Sequence, residues 1–98
     1  MEISKERNAS TLNLALKGRL DTVTAPAFEA ELGSNLDGVE SLVIDFAELE
    51  YVSSAGLRVL LSAQKTMNKQ GSMVIKNVCD EIMEVFEITG FSDILTVE

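Results

Sequence analysis

The sequence predicts a single α/β domain over residues 1–98, with a mixed, mostly parallel sheet of four to five strands and helices, in the order β-β-α-β-α-β-α. Three observations predict it. Stretches with the two-residue period of a strand alternate along the chain with stretches of helical period. Two apolar runs, Leu42–Phe46 and Met73–Ile75, are short and bounded by polar segments, as buried strands are. The first two strands are separated by only a few small polar residues, so they form an antiparallel hairpin on an otherwise parallel sheet.

The elements follow in order. Ile3 lies in the first strand, which the Asn8–Ala9–Ser10 turn joins to the second. In Thr11–Lys17, Leu12, Leu14 and Leu16 alternate with Asn13 and Ala15, the pattern of a strand with one buried face, and Gly18 is read as its end. The next helix takes Thr24 as its N-cap and Pro26 in its first turn, where a missing N–H loses no partner. Val23 is placed to pack on Phe28 as a hydrophobic staple. Phe28, Leu32 and Leu36 form one face, and Asp37–Gly38 ends the helix.

Leu42–Phe46 reads as a buried central strand with neighbours on both sides, followed by a turn. The second helix runs from about Ser54 to Asn68 with an apolar stripe of Leu57, Leu60, Leu61 and Met67, and Gln70–Gly71 stops it. Met73–Ile75 is the next strand. Asp80–Thr89 is a third helix with Ile82, Val85, Phe86 and Ile88 inward and Gly90 at its stop. Ile94–Val97 closes the chain as a short strand or a packed tail.

Composition narrows the function. The formal net charge of -8 opposes phosphate backbones and anionic membrane surfaces, so neither nucleic acid nor membrane is an expected partner. Histidine is absent and Cys79 is the one cysteine, which rules out Ser-His-Asp and Cys-His catalysis and a Cys/His zinc site. Val78–Cys79–Asp80 sets the thiol between an apolar and an acidic neighbour, so Cys79 reads as a small structural residue. The carboxylates Asp21, Asp45, Glu48 and Glu50 lack a nucleophile, a metal cluster or a Gly-rich phosphate loop beside them, and read as solvated turn charges rather than an active site. No apolar run reaches membrane-spanning length and the N-terminus lacks a signal-peptide core, so a cytoplasmic location is expected.

In open α/β sheets, functional turns collect at the carboxyl ends of the strands. The turn singled out here is Tyr51–Val52–Ser53–Ser54–Ala55–Gly56–Leu57–Arg58. Ser53 and Ser54 lie where strand gives way to helix, and either can cap free backbone N–H groups. Ala55 and Gly56 are small enough to admit close approach by backbone or by another molecule. The residues allow two readings: a helix cap and nothing more, or a serine open to phosphorylation. A phosphoserine carries about -1.5 to -2 charge. A helix N-terminus favours that charge, while a surface docked there meets new charge and bulk. Arg58, four residues after Ser54, is either a phosphate partner or a solvated helix residue.

The run Tyr51–Leu61 resembles the signature of the STAS domain found in bacterial anti-sigma factor antagonists. Gly18–Arg19–Leu20–Asp21, with Thr24 and Ala25, is similar to that family's Gly-x-Leu-Asp segment, and Val85–Phe91 is similar to its closing helix and Gly-aromatic turn. The resemblance covers nearly the whole chain, and it implies a STAS-like fold and partner switching. The antagonist binds an anti-sigma factor that is also a serine kinase, and this frees a sigma factor. The kinase phosphorylates the antagonist at this turn, the complex dissociates, and a phosphatase restores it. ATP belongs to the kinase, so no cofactor is expected on this chain.

Anchored on Gly56 and Leu57, Ser54 falls on the phosphorylated position of the family, with Ser53 the runner-up. Ser53 stands where the family pattern carries Asp, and Ala55 replaces its second hydroxyl residue. Asp21, Thr24, Ser53, Ser54, Ala55, Gly56 and Arg58 are the expected partner-binding residues. The alternative role within the family is a non-switching STAS subunit of a larger assembly, such as a lipid-transport or stressosome-like complex.

Overall fold

The computed structural model describes residues 1–98. The chain opens with a hairpin of β1 (Glu2–Asn8) and β2 (Thr11–Leu20), joined by a two-residue turn in which Ala9 takes φ 55°. Helix α1 (Ala25–Asn35) leads to β3 (Ser41–Val52), α2 (Ser54–Gln70), β4 (Ser72–Lys76) and α3 (Asp80–Thr89). A short 3-10 turn, Phe91–Asp93, follows α3. The sheet order is β1-β2-β3-β4, antiparallel between β1 and β2 and parallel elsewhere. At the far edge, Val97 makes a single parallel bridge with Ile75, so the closing segment is a packed tail with one strand contact.

Register explains where the core sits. Leu12, Leu42 and Met73 lie side by side across the three parallel strands, and so do Leu14, Ile44 and Ile75. Paired residues point to the same side, so these buried side chains form one face. Phe28 and Leu32 of α1, Leu57, Leu60 and Met67 of α2, and Ile82 and Phe86 of α3 share one core with them. Phe46 meets Phe86 with ring centroids 6.4 Å apart. The other face carries Asn13, Val43, Val74, Ala15, Asp45 and Lys76, all partly or fully exposed. β3 therefore has strand neighbours on both sides, as expected, but only one of its faces is buried.

Four local expectations are corrected. Gly18 does not end β2: it adopts φ 105°, open to a residue without Cβ, and the strand continues to Leu20. Nor does a turn follow Phe46, because β3 runs on to Val52. Two irregularities in the β2–β3 register, between Ala15 and Lys17 and between Gly18 and Arg19, each place one extra residue in β3. They change the spacing of buried residues from two to three, so that Phe46, Leu49 and Val52 all face the core. Val23 is 85% exposed and makes no staple with the buried Phe28. Ile88 points outward at 78% exposure, while Ile82 and Phe86, four residues apart, form the buried stripe of α3.

The long β3 dictates a long α2. β4 begins opposite Ser41, the first residue of β3, so the chain must return the full length of β3 before it re-enters the sheet. Seventeen helical residues at about 1.5 Å each cover roughly 25 Å. Gln70, at the end of α2, donates from Nε2 to the carbonyls of Leu36 and Val39 at 2.7 and 2.6 Å. That side chain serves acceptors past the end of α1 that the helix itself leaves open. Cys79, half-buried and free, occupies the N-cap position of α3 without a side-chain cap bond.

Candidate functional site

The carboxyl ends of β2 and β3 bring two turns together. The backbone N–H of Ser53 donates to the carbonyl of Leu20 at 2.8 Å, which closes the parallel ladder where α2 begins. Ser53 then turns the chain in extended conformation (φ -91°, ψ 174°), and its Oγ accepts from the Gly56 N–H at 3.4 Å. It is the N-cap of α2. Ser54 is the first helical residue and its side chain is exposed. Of the two serines, Ser53 is the cap, and Ser54 stands exposed beside it.

Gly56 lies inside this turn, not on its surface. A Cβ there would come within 2.7 Å of Leu20 Cγ and 3.1 Å of the Leu20 carbonyl oxygen. The close approach that a small residue permits is used by the protein's own β2. Ala55 is half-buried and lines a shallow groove of about 190 Å³ between the starts of α1 and α2. Thr22, Pro26, Glu29 and Arg58 line the same groove. Arg58 is exposed and makes no ion pair. It follows Ser54 by four residues, so the two share one helix face.

Asp21 and Thr24 form a reciprocal cap on the neighbouring turn. Asp21 Oδ1 accepts from the N–H groups of Val23 and Thr24, both at 3.0 Å. Thr24 Oγ1 accepts in return from the Asp21 N–H at 2.9 Å. The Thr24 hydroxyl oxygen lies 2.8 Å from the Arg19 carbonyl and 3.2 Å from Asp21 Oδ1, either of which can take its proton. This is the geometry of a capping box with Asp as the cap. Thr24 stands at the N-cap of α1 as expected, but its backbone carbonyl, not its side chain, accepts from the Ala27 and Phe28 N–H groups, and Asp21 Oδ1 holds the N–H groups of the turn before the helix. The backbone N–H of Thr24 is the main cause that keeps the Asp21 carboxyl below its ordinary pKa of 3.8. Desolvation opposes it, and the Thr24 hydroxyl, the Val23 N–H and Arg19 assist.

Arg19 and Tyr51 belong to this end of the sheet, and their contact is not legible in the two sequence segments that contain them. They are cross-strand partners, and the Arg19 guanidinium lies 4.2 Å from the centroid of the Tyr51 ring. The same guanidinium reaches Asp21 Oδ2 at 3.7 Å. Their pairing depends on the bulged register, which periodicity does not reveal. Of the other carboxylates, Asp45 accepts from the Ala47 N–H and from Asn77 Nδ2, and Glu48 pairs with Lys17. No group of three or more Asp, Glu, Cys or His side chains converges here or elsewhere.

The site therefore consists of an exposed serine on a helix N-terminus, an unpaired arginine one turn on, and a shallow groove beside a carboxylate-capped loop. It presents an exposed hydroxyl beside a shallow groove. No helix is long and apolar enough to cross a membrane.

Comparison with known proteins adds a relationship over the same residues. The model of the STAS domain matches residues 2–98. BtrV of Bordetella bronchiseptica is 36% identical over an alignment of 99 residues, covering 99% of this chain and 85% of that protein. The anti-sigma-B factor antagonist of Listeria monocytogenes is 33% identical over 97 residues, covering 96% of this chain and 84% of that protein. Among solved structures, SpoIIAA of Bacillus in its phosphorylated form superposes with a TM-score of 0.77 at 18% identity, covering 99% of this chain and 91% of that one, and so shares the fold.

Proposed function

The chain belongs to the STAS domain family, and from that premise we infer that it acts as an anti-sigma factor antagonist, a regulatory protein whose partner is an anti-sigma factor. We propose further that the partner is a serine kinase and that Ser54 is the residue it phosphorylates, in the cytoplasm. One observation carries the choice of Ser54: it is exposed at the first position of α2, while Ser53 is half-buried and its Oγ is engaged with the Gly56 N–H.

Electrostatics accounts for the switch. Phosphate on Ser54 adds about -1.5 to -2 charge at a helix N-terminus, which tolerates it. α2 has no acidic residue in its first turn, and Arg58 is free to pair with the new group. The fold survives modification. The surface around Ser54, Ala55, Arg58, Thr22 and Pro26 changes its charge and bulk, so a partner seated there is expelled. The Asp21–Thr24 cap holds the other wall of the groove in shape. ATP is the partner's, and a phosphatase resets the serine.

Binding assays on the purified anti-sigma factor test this. Ser54→Ala is expected to bind in the presence of ATP as well as in its absence, and Ser54→Asp to bind at least about tenfold more weakly. Equal binding by wild type and both variants overturns the switch. Absence of phosphate on Ser54 by mass spectrometry, with co-purification of an ATPase or permease, favours the non-switching subunit instead.

A further inference from the structure

The third helix carries a surface that the Ser54 turn does not use. Glu81, Glu84 and Ile88, at spacings of three and four, share the ridge of α3 opposite the buried Ile82 and Phe86. Ile88 is 78% exposed, and Ile94, just beyond the 3-10 turn that packs against α3, is 48% exposed. Asp80, Glu81, Glu84, Glu87 and Asp93 are all exposed, and none of them takes part in an ion pair. Residues 80–94 contain no Lys or Arg.

Folding does not explain this arrangement. Asp80 and Glu81 suit the N-terminal end of a helix, but Glu87 sits in the last turn, where the helix dipole disfavours an anion and no basic residue offsets it. Glu84 follows Asp80 by four residues and Glu81 by three, so like charges face each other along the ridge. An isoleucine turned to solvent at such a place adds nothing to the core.

We propose that the α3 ridge with Ile88 and Ile94 is a second docking surface, and that its occupant is a basic protein segment bearing apolar anchor side chains. Charge complementarity selects that chemistry: five unpaired carboxylates attract Lys and Arg, and the two isoleucines receive apolar groups. A second copy of this chain does not fit. An isologous contact would set these carboxylates against themselves, on a chain of net charge -8. The surface lies on a different helix from the Ser54 turn. α3 follows β4, which is parallel to β3 and ends opposite Asp45, and Phe86 of α3 packs on Phe46 of β3.

The test uses the whole chain and three synthetic helical peptides: lysines with one leucine stripe, the same lysine count with serines in the stripe, and the glutamate counterpart of the first. Amide chemical shifts locate binding and fluorescence anisotropy measures it. The Lys/Leu peptide is expected to shift amides from Glu84 to Ile94 and to bind about tenfold more tightly than the Lys/Ser peptide, the worth of one partly buried isoleucine. Ile88→Ser and Ile94→Ser each lower its affinity. Glu84→Lys lowers it more than Glu6→Lys, which makes the same change of net charge on β1. Exposure lets these variants fold, and thermal melts check that they do. Equal binding of the Lys/Leu and Lys/Ser peptides, shifts centred on another face, or α3 shifts produced by protein concentration alone would each overturn the proposal.

Discussion

Gly56 and Leu20 are in contact across the start of α2, with room for a hydrogen at position 56 and for nothing larger. The Cβ of an alanine would lie 2.7 Å from Leu20 Cγ and 3.0 Å from Cδ2, and Leu20 is fully buried, so it has little space to retreat. Overpacking of this kind costs about 1–3 kcal/mol, against a helix-propensity gain near 1 kcal/mol. Gly56→Ala is therefore expected to lower stability by a net of up to ~2 kcal/mol, read as a reduced urea midpoint at unchanged slope. An unchanged midpoint would show that α2 can shift away from Leu20.

Ser53 and Ser54 are expected to separate in their effects. Ser53→Ala removes the cap on the Gly56 N–H and is expected to destabilise by about 0.5–1 kcal/mol, the low end reflecting the long 3.4 Å bond. Ser54→Ala removes no cap and is expected to stay within about 0.5 kcal/mol of wild type. Ser53→Asp keeps an acceptor and adds a favourable charge at the dipole, so it is expected to match or exceed wild type. Denaturant melts of the three variants check the order.

The Asp21 carboxyl makes stability depend on acid. Its folded pKa lies below 3.8, so around and below that pH the unfolded chain binds more protons than the folded one, and stability rises with pH. The contribution is complete above pH 3.8 and is lost as pH falls through the lowered folded value. Asp21→Asn cannot titrate. Its stability is expected to be lower than wild type at neutral pH and to fall less steeply in acid. Chemical denaturation at a series of pH values measures the two slopes, and parallel slopes would remove Asp21 as a source of the dependence.

Phosphorylation of Ser54 is expected to stabilise the domain by about 0.3–1 kcal/mol, because the phosphate meets the N-terminus of α2. At about 4–8 °C per kcal/mol for a chain of this length, the melting temperature rises by a few degrees. Arg58→Ala is expected to remove about 0.5 kcal/mol of that gain while leaving the unphosphorylated protein nearly unchanged. Paired thermal melts with and without the phosphate decide it. A fall in melting temperature on phosphorylation would mean that the switch works by loosening the fold rather than by expelling a partner.

The amino-acid sequence alone determined the order of elements, the Leu12–Leu14–Leu16 face, the span of α3 and the resemblance that singles out Ser54. Each of these rests on spacing or on a local run of residues, and neighbours along the chain suffice to express it. Tertiary structure decided the rest. The bulges that carry β3 on to Val52 exist only through pairing with β2, and they break the alternation by which a strand is recognised in sequence. Long-range packing turned Gly56 from a surface allowance into a contact with Leu20 and left Val23 and Ile88 in solvent. The Arg19–Tyr51 pair and the Asp21–Thr24 cap were settled by register and by backbone path. Which serine caps and which stands free was settled the same way, because the ladder bond from Ser53 to Leu20 sets the residue at which β3 ends and α2 begins.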